Sequence, residues 1–158
     1  MLKAGLRIRP FQTGDEASLM RVFRCSIHGI ASKEYTPEQI NAWAPADMDV
    51  EAWGEKIRGL RPFVAELDGD IGGYADLQPS GYIDHFFVSG EHPRRGIGSA
   101  LMARLHESAQ AQGITTLTAD VSLTAEPFFA RHGFRVVERR LPIRRGVVLQ
   151  NALMRKQL

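Results

Sequence analysis

Two hydrophobic periods follow one another at the start of the chain. Leu6 and Ile8 alternate with arginines, which predicts a short strand that ends at Pro10. Apolar residues then recur every three or four positions from Leu19 to Ile27, which is the spacing of one helix face. The chain is therefore predicted to begin with a strand followed by a helix.

Two more helices are predicted from their start signals. Thr36-Pro37-Glu38-Gln39 has the form of a capping box, with proline at the first helical position. A third helix is predicted to begin near Asp49. The aromatic residues Tyr35, Trp43 and Trp53 accompany these helices. They are interpreted most simply as core residues, and the alternative is that they line a substrate pocket.

Strand patterns follow the predicted helices. Residues 63–67 and 71–77 flank Asp68-Gly69, a pair that supplies the positive φ angles of a tight hairpin turn. Gly72-Gly73 indicates a bulge or a close approach by another element. Residues 82–88 are predicted to form one continuous, largely apolar strand.

The second half of the chain continues the alternation of helices and strands. Apolar residues recur every four positions from Ile97, and Gly113 stands where a helix would end. The remaining predictions are a strand at 117–121, a helix at 125–132 and closing strands at 134–141 and 147–154. Together these patterns predict one α/β domain of six or seven strands and about five helices.

Length and composition are those of an ordinary globular protein. The 158 residues correspond to one domain. The longest segment without Asp, Glu, Lys or Arg, residues 108–119, is too short and too polar to span a membrane, and no signal peptide is recognisable. A soluble, cytoplasmic protein without membrane partners is expected. The single cysteine, Cys25, excludes an internal disulfide.

Charge is distributed unevenly although the net charge is only +2. Residues 34–84 contain eleven acids and three bases, and residues 131–158 contain eight bases and one acid. This pattern suggests an acidic mouth that attracts a cationic substrate and a basic flank suited to an anionic cofactor. The alternative is that both segments form ordinary solvated surfaces.

The segment from Val88 to Ala100 has the residues expected of an anion-binding site. A buried strand ends in a turn containing Arg94, Arg95, Gly96 and Gly98, and this turn opens a helix. The N–H groups of a first helical turn bind anions, and glycines allow a phosphate to approach the backbone. The glycine spacing fits neither a Walker A loop nor a dinucleotide-binding fingerprint.

Two motifs resemble the GNAT superfamily of N-acetyltransferases. The first, Arg95-Gly96-Ile97-Gly98-Ser99-Ala100, is similar to the family's acyl-CoA pyrophosphate loop, with Pro93 where the family has Gln or Arg and with Arg94 as the substitute contact. The second, residues 122–134, is similar to the downstream motif Asn-x-x-Ala-x-x-Phe-Tyr-x-x-x-Gly-Phe. Residues 35–43 also resemble a bacterial branch of uncharacterised members.

The resemblance implies a GNAT-like mixed, mostly antiparallel sheet of six to seven strands. It further implies one N-acetyltransferase domain over residues 1–158, with substrate-side helices in 1–59 and an acetyl-CoA-binding core in 60–158. Pantetheine would lie along residues 82–88. The implied cofactor-binding residues are Phe86, Phe87, Val88, Arg94, Arg95, Gly96, Ile97, Gly98, Ser99, Ala100, Ser122, Phe128 and Phe129.

Catalytic candidates also follow from the resemblance. Asp84 is the candidate general base, because many family members carry a carboxylate at this position, and the alternative is a structural carboxylate bonded to a turn. Phe129 replaces the tyrosine that often protonates the departing thiolate. His132, one helical turn beyond Phe128, is the candidate general acid, and the alternatives are Tyr74, Tyr35 and solvent.

The predicted function is transfer of an acetyl group from acetyl-CoA to a primary amine of a small molecule or peptide. The acidic segment favours a cationic acceptor. One alternative is a non-catalytic acyl-CoA sensor, suggested by Pro93 and by the missing tyrosine. Nucleic-acid binding is disfavoured because no aromatic-rich motif accompanies the arginines. No histidine spacing indicates a metal. Family members often pair through their last strands, so a homodimer is one alternative, and internal packing of residues 147–149 is the other.

Overall fold

The computed structural model describes residues 5–158, which form two four-stranded sheets and a short hairpin. In the first sheet, β1 (Leu6–Pro10), β2 (Phe63–Leu67), β3 (Asp70–Ala75) and β5 (Phe86–Val88) follow in that order. In the second sheet the order is β4 (Tyr82–Ile83), β6 (Thr116–Ser122), β10 (Asn151–Gln157) and β7 (Arg135–Arg140). The hairpin pairs β8 (Ile143–Arg144) with β9 (Val147–Val148). All sheet pairings are antiparallel except that of β4 with β6.

Five α-helices accompany these strands within the described residues. They are α1 (Glu16–Cys25), α2 (Pro37–Trp43), α3 (Val50–Leu60), α4 (Ile97–Ala111) and α5 (Glu126–Arg131). The predicted capping box is confirmed, because the Thr36 hydroxyl accepts from the Gln39 N–H and the Gln39 side chain accepts from the Thr36 N–H. No helix within residues 5–158 is both long and apolar enough to cross a membrane.

Helices cover the first sheet on both faces. One buried core lies between α4 and the strands, and a second is formed by α1, α2 and α3 against Val64 and Tyr74. The predicted close approach at the paired glycines is confirmed, since a Cβ on either Gly72 or Gly73 would lie 2.8 Å from the Ile97 side chain. These glycines therefore let the start of α4 rest directly on β3.

The single strand predicted for residues 82–88 is wrong, because β4 and β5 belong to different sheets. The interruption lies at Asp84 and His85, whose N–H groups leave the strand ladder. The buried carboxylate of Asp76 replaces the missing strand partner, accepting from Asp84 N–H at 2.9 Å and from His85 N–H at 2.6 Å. The two sheets consequently separate beyond Ile83 and leave a gap beside β5.

The closing strand predicted for residues 147–154 is also divided. Arg145 and Gly146 have φ angles of 51° and 78° and form the turn between β8 and β9. Leu149 then ends the hairpin, donating its N–H to the Pro142 carbonyl at 2.8 Å and burying its side chain in the second core. The overall class is nevertheless confirmed as a mixed, mostly antiparallel α/β fold, with seven sheet strands when residues 82–88 are counted as one interrupted strand.

Candidate active site

A groove of about 620 Å³ opens where the two sheets separate, and we call it the basic groove. It is lined by β5, the loop that follows β5, the first turn of α4, and α5. Twelve of the thirteen residues predicted to bind the cofactor line it, the exception being Ala100. Among the described residues, its charged lining groups are all basic: Lys33, Arg94, Arg95 and Arg131. The groove therefore favours an anionic ligand.

The start of α4 presents unpaired N–H groups to this groove. Gly96 precedes the helix with a left-handed φ of 78°, and Ile97, Gly98 and Ser99 form the first turn, whose N–H groups have no carbonyl one turn earlier to bind. Ala100 has a different role, because its N–H donates to the Gly96 carbonyl at 3.0 Å and its side chain is buried in the first core. The anion-binding part of the predicted loop therefore ends at Ser99.

Gly98 has a packing role that the sequence analysis did not anticipate. A Cβ at this position would lie 3.1 Å from the Phe128 ring, so the glycine allows α5 to pack against the first turn of α4. Phe128 is also in contact with Phe86 and Phe129, at ring-centroid distances of 5.4 and 5.8 Å. The two resembling motifs thus meet physically at Gly98 and Phe128.

β5 forms the wall of the groove opposite α5. It is the last strand of the first sheet and pairs only with β3, so the backbone along its other edge has no strand partner among the described residues. Phe86, Phe87 and Val88 all line the groove. An open strand edge of this kind suits an extended ligand that adds to the sheet like a further strand.

A second cavity, of about 410 Å³, adjoins the basic groove, and we call it the aromatic cavity. Trp43, Phe87 and Ser122 line both spaces, so the two meet at these residues. Tyr35 and Trp53 also line the aromatic cavity, and Trp43 and Trp53 pack against the second core as well, so these aromatic residues combine core packing with cavity lining. Tyr35 additionally belongs to the second core, where it is 5% exposed.

Charged groups of both signs line the aromatic cavity. Lys56 Nζ lies 3.5 Å from Asp84 Oδ2, and an Arg140 guanidinium nitrogen lies 3.0 Å from Asp120 Oδ1. Arg144 is the remaining lining cation, and no carboxylate within residues 5–158 forms an ion pair with it. No group of three or more His, Cys, Asp or Glu side chains in this part of the chain is arranged to hold a metal.

The predicted acidic mouth is wrong. Of the eleven acids in residues 34–84, only Asp84 lines the aromatic cavity. The others serve elsewhere, as when Glu66 pairs with Arg9 at 2.6 Å and Asp76 binds the backbone of the interrupted strand. Clustering of acids along the chain did not become clustering in space, because these acids lie on separate helices, strands and connecting segments.

Asp84 and His85 both line the aromatic cavity, although strict alternation would place them on opposite faces. His85 is 8% exposed, and its Nδ1 is hydrogen bonded to the Tyr74 hydroxyl at 3.0 Å. Burial lowers the pKa of His85 to about 4, so the ring is neutral at pH 7. The interruption at these two residues explains why the sequence analysis overlooked His85.

Asp76 was also overlooked, and its role is to position this pair. One oxygen of its carboxylate binds the N–H groups of Asp84 and His85, and the other accepts from the Gln78 amide at 2.5 Å. Its own N–H donates to the His85 carbonyl at 3.1 Å. Burial raises the pKa of Asp76. Its sole signal in the sequence is an acid placed directly after an apolar strand.

The residues considered as general acids lie in less favourable places. His132 lines neither space, and its ring packs on Phe128 with a centroid distance of 4.6 Å. Burial lowers the pKa of His132, and it raises the pKa of the fully buried Tyr74 well above the usual range. Tyr35 reaches the cavity, but its hydroxyl already donates to the Gln150 carbonyl and accepts from the Leu123 N–H.

Comparison with known proteins identifies the class of protein to which this fold, with its opened sheet and adjoining groove and cavity, belongs: the N-acetyltransferases. Residues 31–158 match the family described as Acetyltransferase (GNAT) domain. The chain therefore belongs to the GNAT acetyltransferases, as the two sequence motifs predicted.

Relatives support this assignment over nearly the whole chain. The chain is 37% identical over 150 residues to the uncharacterized N-acetyltransferase YafP of Escherichia coli, covering 95% of each protein. Its fold is similar to a crystal structure of a GCN5-related N-acetyltransferase from Rhodopseudomonas palustris, with a TM-score of 0.93, 31% identity, and coverage of 100% and 99%. It is also similar to the PaiA N-acetyltransferase of Thermoplasma acidophilum in complex with coenzyme A, with a TM-score of 0.78, 18% identity, and coverage of 97% and 99%.

Proposed function

We propose that this protein transfers an acetyl group from acetyl-CoA to a primary amine of a small molecule or peptide, by direct attack while both substrates are bound. The observation that carries the proposal is the meeting of the basic groove and the aromatic cavity at Trp43, Phe87 and Ser122. A donor in the groove and an acceptor in the cavity would come together there. Direct transfer between two bound substrates requires this proximity.

The groove offers suitable partners for each part of acetyl-CoA. The diphosphate would bind the first-turn N–H groups of α4, with Arg94 and Arg95 adding charge-assisted hydrogen bonds. The pantetheine arm would follow the open edge of β5. Arg94 lies beside Pro93, so it would replace the contact that the family's Gln or Arg makes at that position.

Asp84 is the proposed general base. An amine attacks a thioester only as the free base, so its proton must pass to a nearby acceptor. The Asp84 carboxylate lines the cavity near Phe87, where the two spaces meet. The amine nitrogen would bond to the acetyl carbon, Asp84 would take the nitrogen's proton, and the carbon–sulfur bond would break. Backbone N–H groups at the edge of β5 would stabilise the charge that develops on the carbonyl oxygen.

The departing thiolate would take its proton from water. Phe129 supplies no proton, and His132 lies outside both spaces. A thiolate is a stable enough leaving group to depart without a strong acid, since an ordinary thiol has a pKa of about 8.5. The proposal therefore uses Asp84 as its only titrating catalytic residue.

The experiment that tests this function is thiol release from acetyl-CoA with a panel of primary amines. Asp84→Asn should lower kcat by about a hundredfold or more without weakening acetyl-CoA binding, because a general base typically contributes a factor of this size. Asp47→Asn is the matched control, since Asp47 is exposed and lines neither space. An unchanged kcat in Asp84→Asn would remove Asp84 from the mechanism.

The same experiment separates the enzyme from an acyl-CoA sensor. The sensor is supported by Phe129, which lines the groove in place of the family's tyrosine. A sensor would bind acetyl-CoA and release no thiol with any amine. Release above the rate without amine would establish the transferase and exclude a purely sensing role.

Two broader expectations stay predictions. We propose that residues 1–158 act as one catalytic domain, with the helices of 1–59 on the acceptor side and 60–158 binding the coenzyme. Pairing of two copies through the last strands is also untested. Leu149 is packed in the second core, whereas Val148 is 41% exposed. Sedimentation of the purified protein would determine whether it is a dimer.

A further inference from the structure

Arg144 lines the aromatic cavity with an exposed side chain, on a hairpin whose backbone is anchored to the rest of the fold. It is the last residue of β8, and the two-residue turn of Arg145 and Gly146 follows it directly. The hairpin is held in place from both sides. The Gln39 amide donates to the Val148 carbonyl at 2.9 Å, and Leu149 is buried in the second core. The backbone that carries Arg144 is therefore anchored to α2 and to the helical core.

The charges that line the cavity do not cancel. Each of its carboxylates is paired with a cation of the cavity, Asp84 with Lys56 and Asp120 with Arg140. The second oxygen of Asp120 accepts from the Tyr82 hydroxyl at 2.9 Å. Arg144 has no carboxylate partner within residues 5–158. The lining cations exceed the lining carboxylates by one, although Arg140 also pairs at 3.4 Å with Glu138, which does not line the cavity. Arg144 is therefore the lining cation that no carboxylate of the described residues neutralises.

The field of this charge reaches the interior of the cavity. Burial is the main cause that lowers the pKa of His85; the negative charge of Asp84 raises it, and the positive charges of Lys56 and Arg144 lower it further. An anion placed in the cavity would therefore meet a guanidinium and a neutral imidazole. A cationic ligand placed in the cavity would be repelled by Arg144.

The walls and volume of the cavity limit the size and polarity of the uncharged part of the ligand. Aromatic side chains from several elements surround the space, and they include Phe23, Trp43, Trp53 and Phe87. A volume of about 410 Å³ lies in the lower range of small-molecule sites. A compact ligand with an apolar or aromatic body fits these walls better than a long polar chain does.

We infer that the acceptor is a small amine that also carries a carboxylate, with Arg144 binding that carboxylate and the aromatic walls holding the body of the molecule. The inference rests on the proposed transferase function and names the substrate class of its acceptor cavity. Guanidinium and carboxylate form two parallel hydrogen bonds, which fix orientation as well as adding affinity. Binding the carboxylate at Arg144 would leave the amine to approach Asp84.

The test compares amines in which the carboxylate is replaced by a neutral amide and the rest of the carbon skeleton is unchanged. The first pair is 4-(aminomethyl)benzoate and 4-(aminomethyl)benzamide, and the second is phenylalanine and phenylalaninamide. The dication p-xylylenediamine represents cationic acceptors. Thiol release from acetyl-CoA should give a kcat/KM at least about tenfold higher for the carboxylate in one or both pairs, and lowest for the dication, because one such ion pair is worth about a factor of ten or more.

Substitutions then test whether the Arg144 side chain causes the preference for the carboxylate substrates. Arg144→Gln should raise KM for the carboxylate and bring the ratio within each pair close to one. Arg145→Gln is the matched control, because Arg145 is adjacent on the same hairpin and does not line the aromatic cavity. It should keep the wild-type ratio. Circular dichroism of both variants would verify that the hairpin change leaves the fold intact.

The outcomes separate this inference from the proposed function. Thiol release that is equal for both members of both pairs, or fastest with the dication, overturns the carboxylate inference and leaves the transferase standing. A preference that survives in Arg144→Gln overturns the role of Arg144. Absence of release with every amine overturns the proposed function and this inference with it.

Discussion

The basic groove and the aromatic cavity are adjacent but are encoded in different ways. Most of the groove comes from two continuous segments, residues 86–99 and 122–131. The cavity collects single residues from α1, α2, α3, both sheets and the β8–β9 hairpin. A site formed by a continuous segment can be recognised as a motif in the sequence. A site formed by single residues from distant segments has no such motif. The groove could therefore be predicted from the sequence, whereas the cavity could be recognised only in the structure.

Substitution of Asp76 should have the largest effect of all, and it should affect the aromatic cavity more than the basic groove. Asp76→Ala leaves the buried N–H groups of Asp84 and His85 without an acceptor, and each such loss costs about 1–3 kcal/mol. We expect the free energy of unfolding to fall by roughly 2–5 kcal/mol in denaturant titrations. In protein that remains folded, kcat should fall more than the affinity for acetyl-CoA. An equal loss of both would show that the groove depends on the interrupted strand as much as the cavity does.

The interrupted strand also marks the limit of prediction from the sequence. The hairpin at Asp68-Gly69, the capped helices and the glycine-opened start of α4 were predictable, because each depends on neighbouring residues. The exposure of Asp84 and His85 on the same side was not predictable. It depends on a hydrogen bond that the Asp84 N–H donates to the carboxylate of Asp76, which lies eight residues earlier, directly after β3.

The charge pattern failed for a related reason. A count of acids along residues 34–84 ignores the direction in which each side chain points. Arg140 and Arg144, from the basic end of the chain, reach the acceptor cavity, while Asp84 is the only acid from 34–84 there. Long-range topology therefore brought basic residues to a cavity where a cluster of acids was expected, whereas the local anion-binding loop kept the charge predicted for it.

The free energy of unfolding should fall at acid pH because of His85, which lines the cavity. Its folded-state pKa of about 4 lies below the usual value of 6.5, so the unfolded chain binds more protons between these values. The stabilisation is complete above about pH 6.5 and is lost as the pH falls towards 4, by up to about 3 kcal/mol. Unfolding of wild type and His85→Gln across this range measures the effect. Identical pH slopes in the two proteins would contradict it.

Removing the arginines of the groove should weaken the binding of the donor, acetyl-CoA, and leave the binding of the acceptor unchanged. Arg94→Ala combined with Arg95→Ala removes charge-assisted contacts, so acetyl-CoA affinity should weaken by about ten- to a hundredfold. Calorimetric titration measures the affinity. Arg135→Ala is the control, since Arg135 is exposed and lines neither space. An unchanged affinity in the double variant would move the diphosphate site away from this loop.

His132 should give the smallest effect. Because it lines neither space, His132→Ala should change kcat by less than about twofold and keep the alkaline limb of the pH profile. Steady-state rates from pH 6 to 10 measure this. Loss of the alkaline limb would instead restore His132 as the acid that protonates the thiolate.

The most direct test of the central claim is a crystal structure of the protein with bound coenzyme A. We expect the diphosphate on the first turn of α4, the pantetheine arm along β5, and the sulfur where Trp43, Phe87 and Ser122 meet. A sulfur atom outside this junction, or a diphosphate away from Gly96 to Ser99, would contradict the account.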